Sequence, residues 1–421
     1  MSFIKESLGE VCSIKGGYAF KSTDFKTEGI PVIKIANIVN KKIIFDKDSS
    51  FISSSVLENF KDFLVNKGDI LVALSGATTG KFGIYDSDEI ALLNQRVAKI
   101  VPLNNKINHK YLFYCMTDLQ DKVLQKANGA AQPNVSPKEI SEFRIPLPSY
   151  EVQMRVSNVI SKAQELIDKR KAQIESLDQL AKSLFWDMFG DPALNKKQWI
   201  TKEIVNLVKE RKDLVDGPFG SNLKVSDFSD KGVRVIQINN IGVNRFIDKN
   251  RKFITHEKFR SLIKHNVLPG DIVIAKMGEP LGRTCIIPQS LSSGIIVADC
   301  MRLRPNVEIV NRNYLTFLLN SNYVKNQFKK LSRGSTRIRL NLSMLKTVKL
   351  ILPPIELQNN FANIVQKIEA QKTLLQQSLT ELENNFQSLM QKAFRGELFP
   401  EEELEVKQDT PSQTQGTLSF T

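Results

Sequence analysis

"KGDILVALSGATTGKFGIY", residues 67–85, sets an apolar run, Ile70 to Leu74, against a Gly-rich turn, Gly76 to Gly80, with Lys81 after it. The pattern looks like a phosphate loop, in which backbone N–H groups and a lysine cradle a nucleotide. Such a loop needs four residues between its glycines and a Ser or Thr after the lysine. Here three residues separate Gly76 from Gly80, and Phe82 follows Lys81, so magnesium would lack its hydroxyl ligand. A tight turn between two strands is the better reading. A nucleotide-binding enzyme using the Gly76–Lys81 loop stands as the alternative.

The stretch returns as "PGDIVIAKMGEPLGRTCII" (269–287), at an offset of 202. Other pairs keep the same order. "IPVIKIANI" (30–38) matches "VRVIQINNI" (233–241) at 203, and "HKYLFYCM" (109–116) parallels "RNYLTFLL" (312–319). "IPLPSYEVQ" (145–153) matches "LILPPIELQ" (350–358) at 205. Matches in one order at a nearly constant offset mark two copies of one unit of about 200 residues. In the second copy Arg283 stands where Lys81 stood. The copies thus share a strand, a Gly-rich turn and a basic residue, and the reading becomes a strand–turn–strand that presents a cation.

Each unit reads in two parts. The first alternates short β-branched runs with turn residues: "VIKIANI", "DILVAL", "VAKIV", "VIQINNI", "DIVIAKM" and "GIIVA" are expected strands. Helical patches fall at "HKYLFYCMTDLQDKVLQKA" and "RNYLTFLLNSNYVKNQFKKL", which makes a mixed α+β domain. A Pro-rich step then opens a long helix, with Ser149 as a candidate N-cap. In the first helix Ile160, Ile167, Ile174, Leu177 and Leu184 lie on a three-and-four spacing. Val365, Ile368, Leu375, Leu379, Leu382 and Leu389 repeat it in the second. That is a coiled-coil seam. About 37 residues give a rod of roughly 55 Å, and two rods in one chain are expected to bury their seams against each other.

The expected fold class is therefore α+β, with two tandem, pseudo-twofold-related globular domains separated by two long helices forming an antiparallel coiled coil. The boundaries are residues 1–148 for the first domain and 149–190 for the first helix. Residues 191–353 form the second domain, with 191–200 as linker, and 354–396 the second helix. Residues 397–421 form an acidic, then polar, tail expected to be disordered.

With 421 residues the chain can hold two or more cored domains. A net charge of +14 favours a polyanion as partner, nucleic acid ahead of an anionic membrane surface. The N-terminus has no apolar signal segment and no run spans a membrane. Cys12, Cys115, Cys285 and Cys300 lie far apart, as reduced core thiols of a cytoplasmic protein would. With His109, His256 and His265 scattered, no metal site and no catalytic residue is expected. A methyltransferase Asn-Pro-Pro-aromatic motif and an HExxH motif are both absent.

Cations cluster in "VKNQFKKLSRGSTRIRLNLSMLKTVK" (324–349), which contains no acid. Its segment RGSTRIR has the composition of a loop touching phosphates or base edges. The counterpart in copy one, "NGAAQPNVS", is rich in Asn and Gln, which suit adenine edges. Two modules reading two different sequences would diverge in this way. A scaffold protein whose charge is incidental is the further alternative.

The tandem plan, "GPFGSNLKVSDFSDKGVRVIQINNI" (217–241) with its counterpart "GGYAFKSTDFKTEGIPVIKIANI" (16–38), "PGDIVIAKMG" (269–278) and "LPPIELQ" (352–358) resemble the specificity subunit of a type I restriction–modification system. The resemblance implies two target recognition domains, each reading half of a split, asymmetric site in double-stranded DNA, with the helices as a ruler. It implies no chemistry and no cofactor in this chain. S-adenosylmethionine is expected in two partner methyltransferase subunits, with motor–nuclease subunits joining for restriction. The location implied is the prokaryotic cytoplasm, with the nucleoid. On that resemblance, turn position and side-chain chemistry nominate DNA-contacting residues. In copy one these are Lys34, Asn37, Ser75, Thr78, Thr79, Lys81, Gln95, Arg96, Gln132 and Asn134. In copy two they are Gln237, Asn239, Asn240, Lys276, Glu279, Arg283, Arg333, Ser335, Thr336, Arg337 and Arg339.

Overall fold

The computed structural model describes residues 3–46, 49–103, 105–127, 134–332 and 339–399. These divide into two compact units: residues up to Arg170 with those from Ser378 onward, and Lys171–Gln377.

In the first unit an antiparallel pair, Lys5–Ser7 with Arg144–Pro146, joins the two ends of the globular part. A larger sheet runs Cys12–Gly16, Val97–Pro102, Ile70–Ala73, Phe82–Ile84, Lys42–Ile43, Ile38–Val39. A second sheet runs Ser50–Ile52, Ile30–Ile33, Ala91–Leu93, Leu64–Val65. Ile30–Ile33 and Ala91–Leu93 are parallel, with Val32 beside Leu92. Both are continuous apolar runs and buried along their length, as parallel strands covered on two faces must be.

The second unit repeats the plan. Ile200–Glu203 pairs with Lys349–Leu352. One sheet runs Leu214–Asp216, Cys300–Leu303, Ile272–Ala275, Thr284–Ile286, and the other contains the parallel pair Val233–Ile236 and Gly294–Ile296. Val235 lies beside Ile295, the same register as Val32 and Leu92 displaced by 203.

The strands expected across "VIKIANI" and "VIQINNI" end early, at Ile33 and Ile236. Asn37 Oδ1 accepts the Lys34 N–H at 2.9 Å, and Asn240 Oδ1 accepts that of Gln237 at 3.0 Å. Each bond folds the chain into a short 3-10 turn. "HKYLFYCMTDLQDKVLQKA" is one helix, His109–Ala127. Its twin splits into Arg312–Asn320 and Asn322–Leu331, because Ser321 is extended and caps the second piece.

The long helices span Tyr150–Phe189 and Ile355–Arg395. Ser149 caps the first, its Oγ accepting from the Val152 N–H. The division between units falls inside both helices. The physical reason is that the start of each helix is bonded to its own globular part. Gln153 Oε1 accepts the Asn108 N–H at 2.7 Å, and Gln358 Oε1 that of Asn311 at 2.8 Å. Of the seam residues, Ile160, Ile167, Val365, Ile368 and Leu379 are buried, and Ile174, Leu177, Leu184, Leu375, Leu382 and Leu389 half-buried. In the first unit Arg170 hydrogen-bonds Ser378, and Phe394 packs 5.6 Å from Tyr111. In the second, Asp178 pairs with Lys372 at 2.6 Å and Phe185 lies 5.6 Å from Phe361. Phe185, Phe189, Phe361 and Tyr314 belong to one apolar core.

All four cysteines are buried and free. Burial pushes the Cys12 thiol up to about 12, which disfavours the reactive thiolate. Among the described residues no helix is long and apolar enough to cross a membrane.

Candidate nucleic-acid interface

The Gly76–Lys81 turn uses its own backbone donors. Thr79 N–H donates to Gly76 O (3.1 Å), Gly80 N–H to Ala73 O (2.9 Å), and Lys81 N–H to Thr78 O (3.0 Å). Gly76 and Gly80 adopt the left-handed backbone this closure requires. A strand, Phe82–Ile84, follows rather than a helix. Three of the turn's N–H groups are thus spent within the hairpin, and no helix N-terminus follows to face a phosphate.

The structure gathers part of the nominated set. In the first unit Leu74 N–H donates to Arg96 O at 2.9 Å, and Val135 N–H to Leu74 O at 2.8 Å. Ser75 bridges to Asn134. Gln95 N–H donates to Tyr18 O at 2.8 Å. Ser75, Gln95, Arg96 and Asn134 thus share one neighbourhood, with Gln95, Arg96 and Asn134 exposed. Thr78 is exposed at the turn tip and Lys81 is half-buried.

The second unit has the same backbone arrangement. Lys276 N–H donates to Asp299 O at 2.9 Å, and Leu340 N–H to Lys276 O at 2.8 Å. Lys276 ion-pairs with Asp216 at 2.9 Å and Arg339 with Asp299 at 2.6 Å. These four charges, with Phe219 and His265, line an open cavity of about 790 Å³. His265 Nδ1 lies 2.7 Å from Asp216 O, and burial holds the imidazole below its ordinary value. Gly217 lets the chain pass this wall: a Cβ there would stand 1.9 Å from Val297 O, as one on Gly17 would stand 2.2 Å from Asn94 O.

Several nominations turn inward. Asn37 and Asn240 are buried, and their Nδ2 atoms donate to Ile44 O (3.1 Å) and Ile247 O (2.9 Å), so they lock turns rather than face a groove. Thr79 is buried, with Oγ1 donating to Gly76 O. Arg283, expected as a presented cation, instead donates to Ile241 O (2.6 Å), Ile238 O (3.2 Å) and Glu279 O (3.3 Å). Three carbonyls converging on one guanidinium explain the reversal. Lys34 Nζ donates to Ser50 Oγ at 2.7 Å and sits 4.1 Å from the Phe25 ring centroid. Gln237 is half-buried, while Asn239 and Glu279 are exposed. Gln132, Arg333, Ser335, Thr336 and Arg337 lie outside the described residues.

Sequence reasoning missed Asp216, Asp299 and Phe219. It sought cations and amides, and passed over acids that pair with them. Phe219 is 82% exposed on the loop after Gly217. Among the described residues no cluster of His, Cys, Asp or Glu could hold a metal ion.

The family model "Type I restriction modification DNA specificity domain" matches residues 4–177 and 208–384. The specificity subunit of the type I restriction enzyme MjaVIII from Methanocaldococcus jannaschii is 24% identical over 364 residues, which cover 85% of this chain and 80% of that one. The EcoBI specificity subunit of Escherichia coli is 24% identical over 427 residues, covering 94% and 86%. The crystal structure of the type I restriction–modification S subunit from M. genitalium superposes with a TM-score of 0.56 at 16% identity, covering 94% of this chain and 96% of that one. At that identity the superposition speaks to fold alone.

Proposed function

This chain belongs to the type I restriction modification DNA specificity domain family, and on that premise we propose that it is the DNA-recognition subunit of a type I restriction–modification complex. Each globular part reads one half of a split, asymmetric site in duplex DNA. The observation that carries the reading is the repetition of one backbone arrangement with different side chains on it. Leu74, Arg96 and Asn134 in the first unit hold the places of Lys276, Asp299 and Arg339 in the second. One scaffold bearing two side-chain sets suits two different base sequences. The excess of cations supplies the sequence-independent attraction to phosphate.

The two long helices form an antiparallel coiled coil that sets the distance between half-sites. Support comes from the buried and half-buried seam residues, the Arg170–Ser378 hydrogen bond and the Asp178–Lys372 pair. The chain itself performs no chemistry. Two methyltransferase subunits, carrying S-adenosylmethionine, dock on it, and motor–nuclease subunits join for restriction. Its place is the cytoplasm, at the nucleoid.

Selection from a randomised duplex library by the full chain assembled with its methyltransferase subunits tests the function. Enrichment of two fixed blocks separated by a constant run of unspecified bases is expected. Binding without sequence enrichment would overturn it.

A further inference from the structure

We propose that Arg339, oriented by Asp299, reads a guanine in the half-site of the second unit. The proposal rests on the DNA-recognition function above and adds to it a base and a residue pair.

Equivalent positions in the two units can be assigned from backbone bonds. Leu74 and Lys276 make the same pair of hydrogen bonds, to residues 96 and 135 and to residues 299 and 340. Gly16 lies beside Ala98 as Asp216 lies beside Met301. Four fold positions therefore hold Gly16, Leu74, Arg96 and Asn134 in one unit and Asp216, Lys276, Asp299 and Arg339 in the other. The second unit fills them with two ion pairs. The first has neither acid, and carries a cation at the place of Asp299. The scaffold tolerates either set, so the charges are not a requirement of the fold.

The two pairs differ in burial. Lys276 is nearly enclosed, its side chain 10% exposed, and serves the interior. Arg339 and Asp299 keep side-chain exposures of 42% and 39%. A pair that open contributes little to stability. What it does contribute is orientation. Arg339 Nη2 ion-pairs with Asp299 Oδ1 at 2.6 Å and donates to Ala298 O at 3.3 Å, which orients the guanidinium in the cavity wall. A guanidinium has five N–H donors, so donors remain for a base edge. The donors left on Nε and Nη1 suit guanine, whose O6 and N7 are both acceptors in the major groove and are the base atoms arginine contacts most often. Asp299 is accordingly a positioning residue.

The test is methylated-adenine mapping in cells carrying the full chain with its own partners, as wild type and as Arg339→Ala, Arg339→Lys, Asp299→Asn and Asp299→Glu. In the wild type, one half-site contains the guanine. Arg339→Ala and Arg339→Lys relax that position by about 5-fold or more, the lower end of what an arginine–guanine contact supplies. Asp299→Asn relaxes the same position partially, Asp299→Glu retains it, and the other half-site is unchanged in all four. Thermal unfolding of purified Asp299→Asn matches wild type, which separates orientation from folding. An unaltered motif in Arg339→Ala and Asp299→Asn would overturn the proposal while leaving the recognition function standing. So would a uniform loss of affinity across sequences with a shallower salt dependence, which would assign Arg339 to a phosphate. A wild-type chain on which no split motif depends would remove the recognition function itself.

Discussion

Gln358 accepts the backbone N–H of Asn311 at 2.8 Å while its amide donates to Pro353 O at 2.7 Å, and so ties the Pro corner, the helix Arg312–Asn320 and the second long helix together. Gln153 does the same for Asn108 and Pro148 in the first unit. Both side chains are buried. Gln358→Leu leaves the Asn311 N–H and the Pro353 carbonyl unsatisfied, at about 1–3 kcal/mol. Chemical denaturation is expected to show that loss, and an unchanged midpoint would deny the tie.

Asn240 and Arg283 are internal supports, by their carbonyl partners. Arg283→Ala is expected to destabilise the second unit by about 1–3 kcal/mol, since the Ile241 and Ile238 carbonyls lose a charged donor. The salt dependence of DNA binding by the variant should keep the wild-type slope. A slope reduced by about one would instead mark Arg283 as a phosphate contact.

Lys325 gives the second unit a pH dependence. Burial, and then the charge of Arg283, lower its pKa from 10.5 to about 7. Between those values the unfolded chain binds more protons than the folded one. Stability attributable to this group therefore rises as pH climbs from about 7 toward 10.5, and the penalty is fully present below about 7. The steepest slope is about 1.4 kcal/mol per pH unit. Lys325→Met is expected to raise stability at pH 7 and flatten that part of the profile. Denaturation curves at several pH values, read for each protein, provide the check.

Inserting one heptad into each long helix, at matched seam positions, adds about 10 Å of rod. The run of unspecified bases between half-sites should then lengthen by about three base pairs. Mapping the methylated motif of the variant complex measures it directly. A motif with the original spacer would retire the ruler.

Local periodicity made much of this fold legible. The three-and-four spacing through Ile160 and Ile167 and through Val365 and Ile368 identified the long helices, and Ser149 marked a start by its capping chemistry. The parallel pairing of Val32 with Leu92 was not legible, because no local signal links residues so far apart in the chain. Site chemistry was harder. An asparagine suits a base edge and a turn equally well, and only burial assigned Asn37 and Asn240 to the turn. Aligning the two copies position by position, rather than searching each for cations, would have exposed Asp299 opposite Arg96.

The most direct measurement is the methylated-adenine map of cells with and without this chain. The account predicts that deletion erases one split, asymmetric motif, and that restoring the chain restores it. A methylation pattern indifferent to the chain would contradict it.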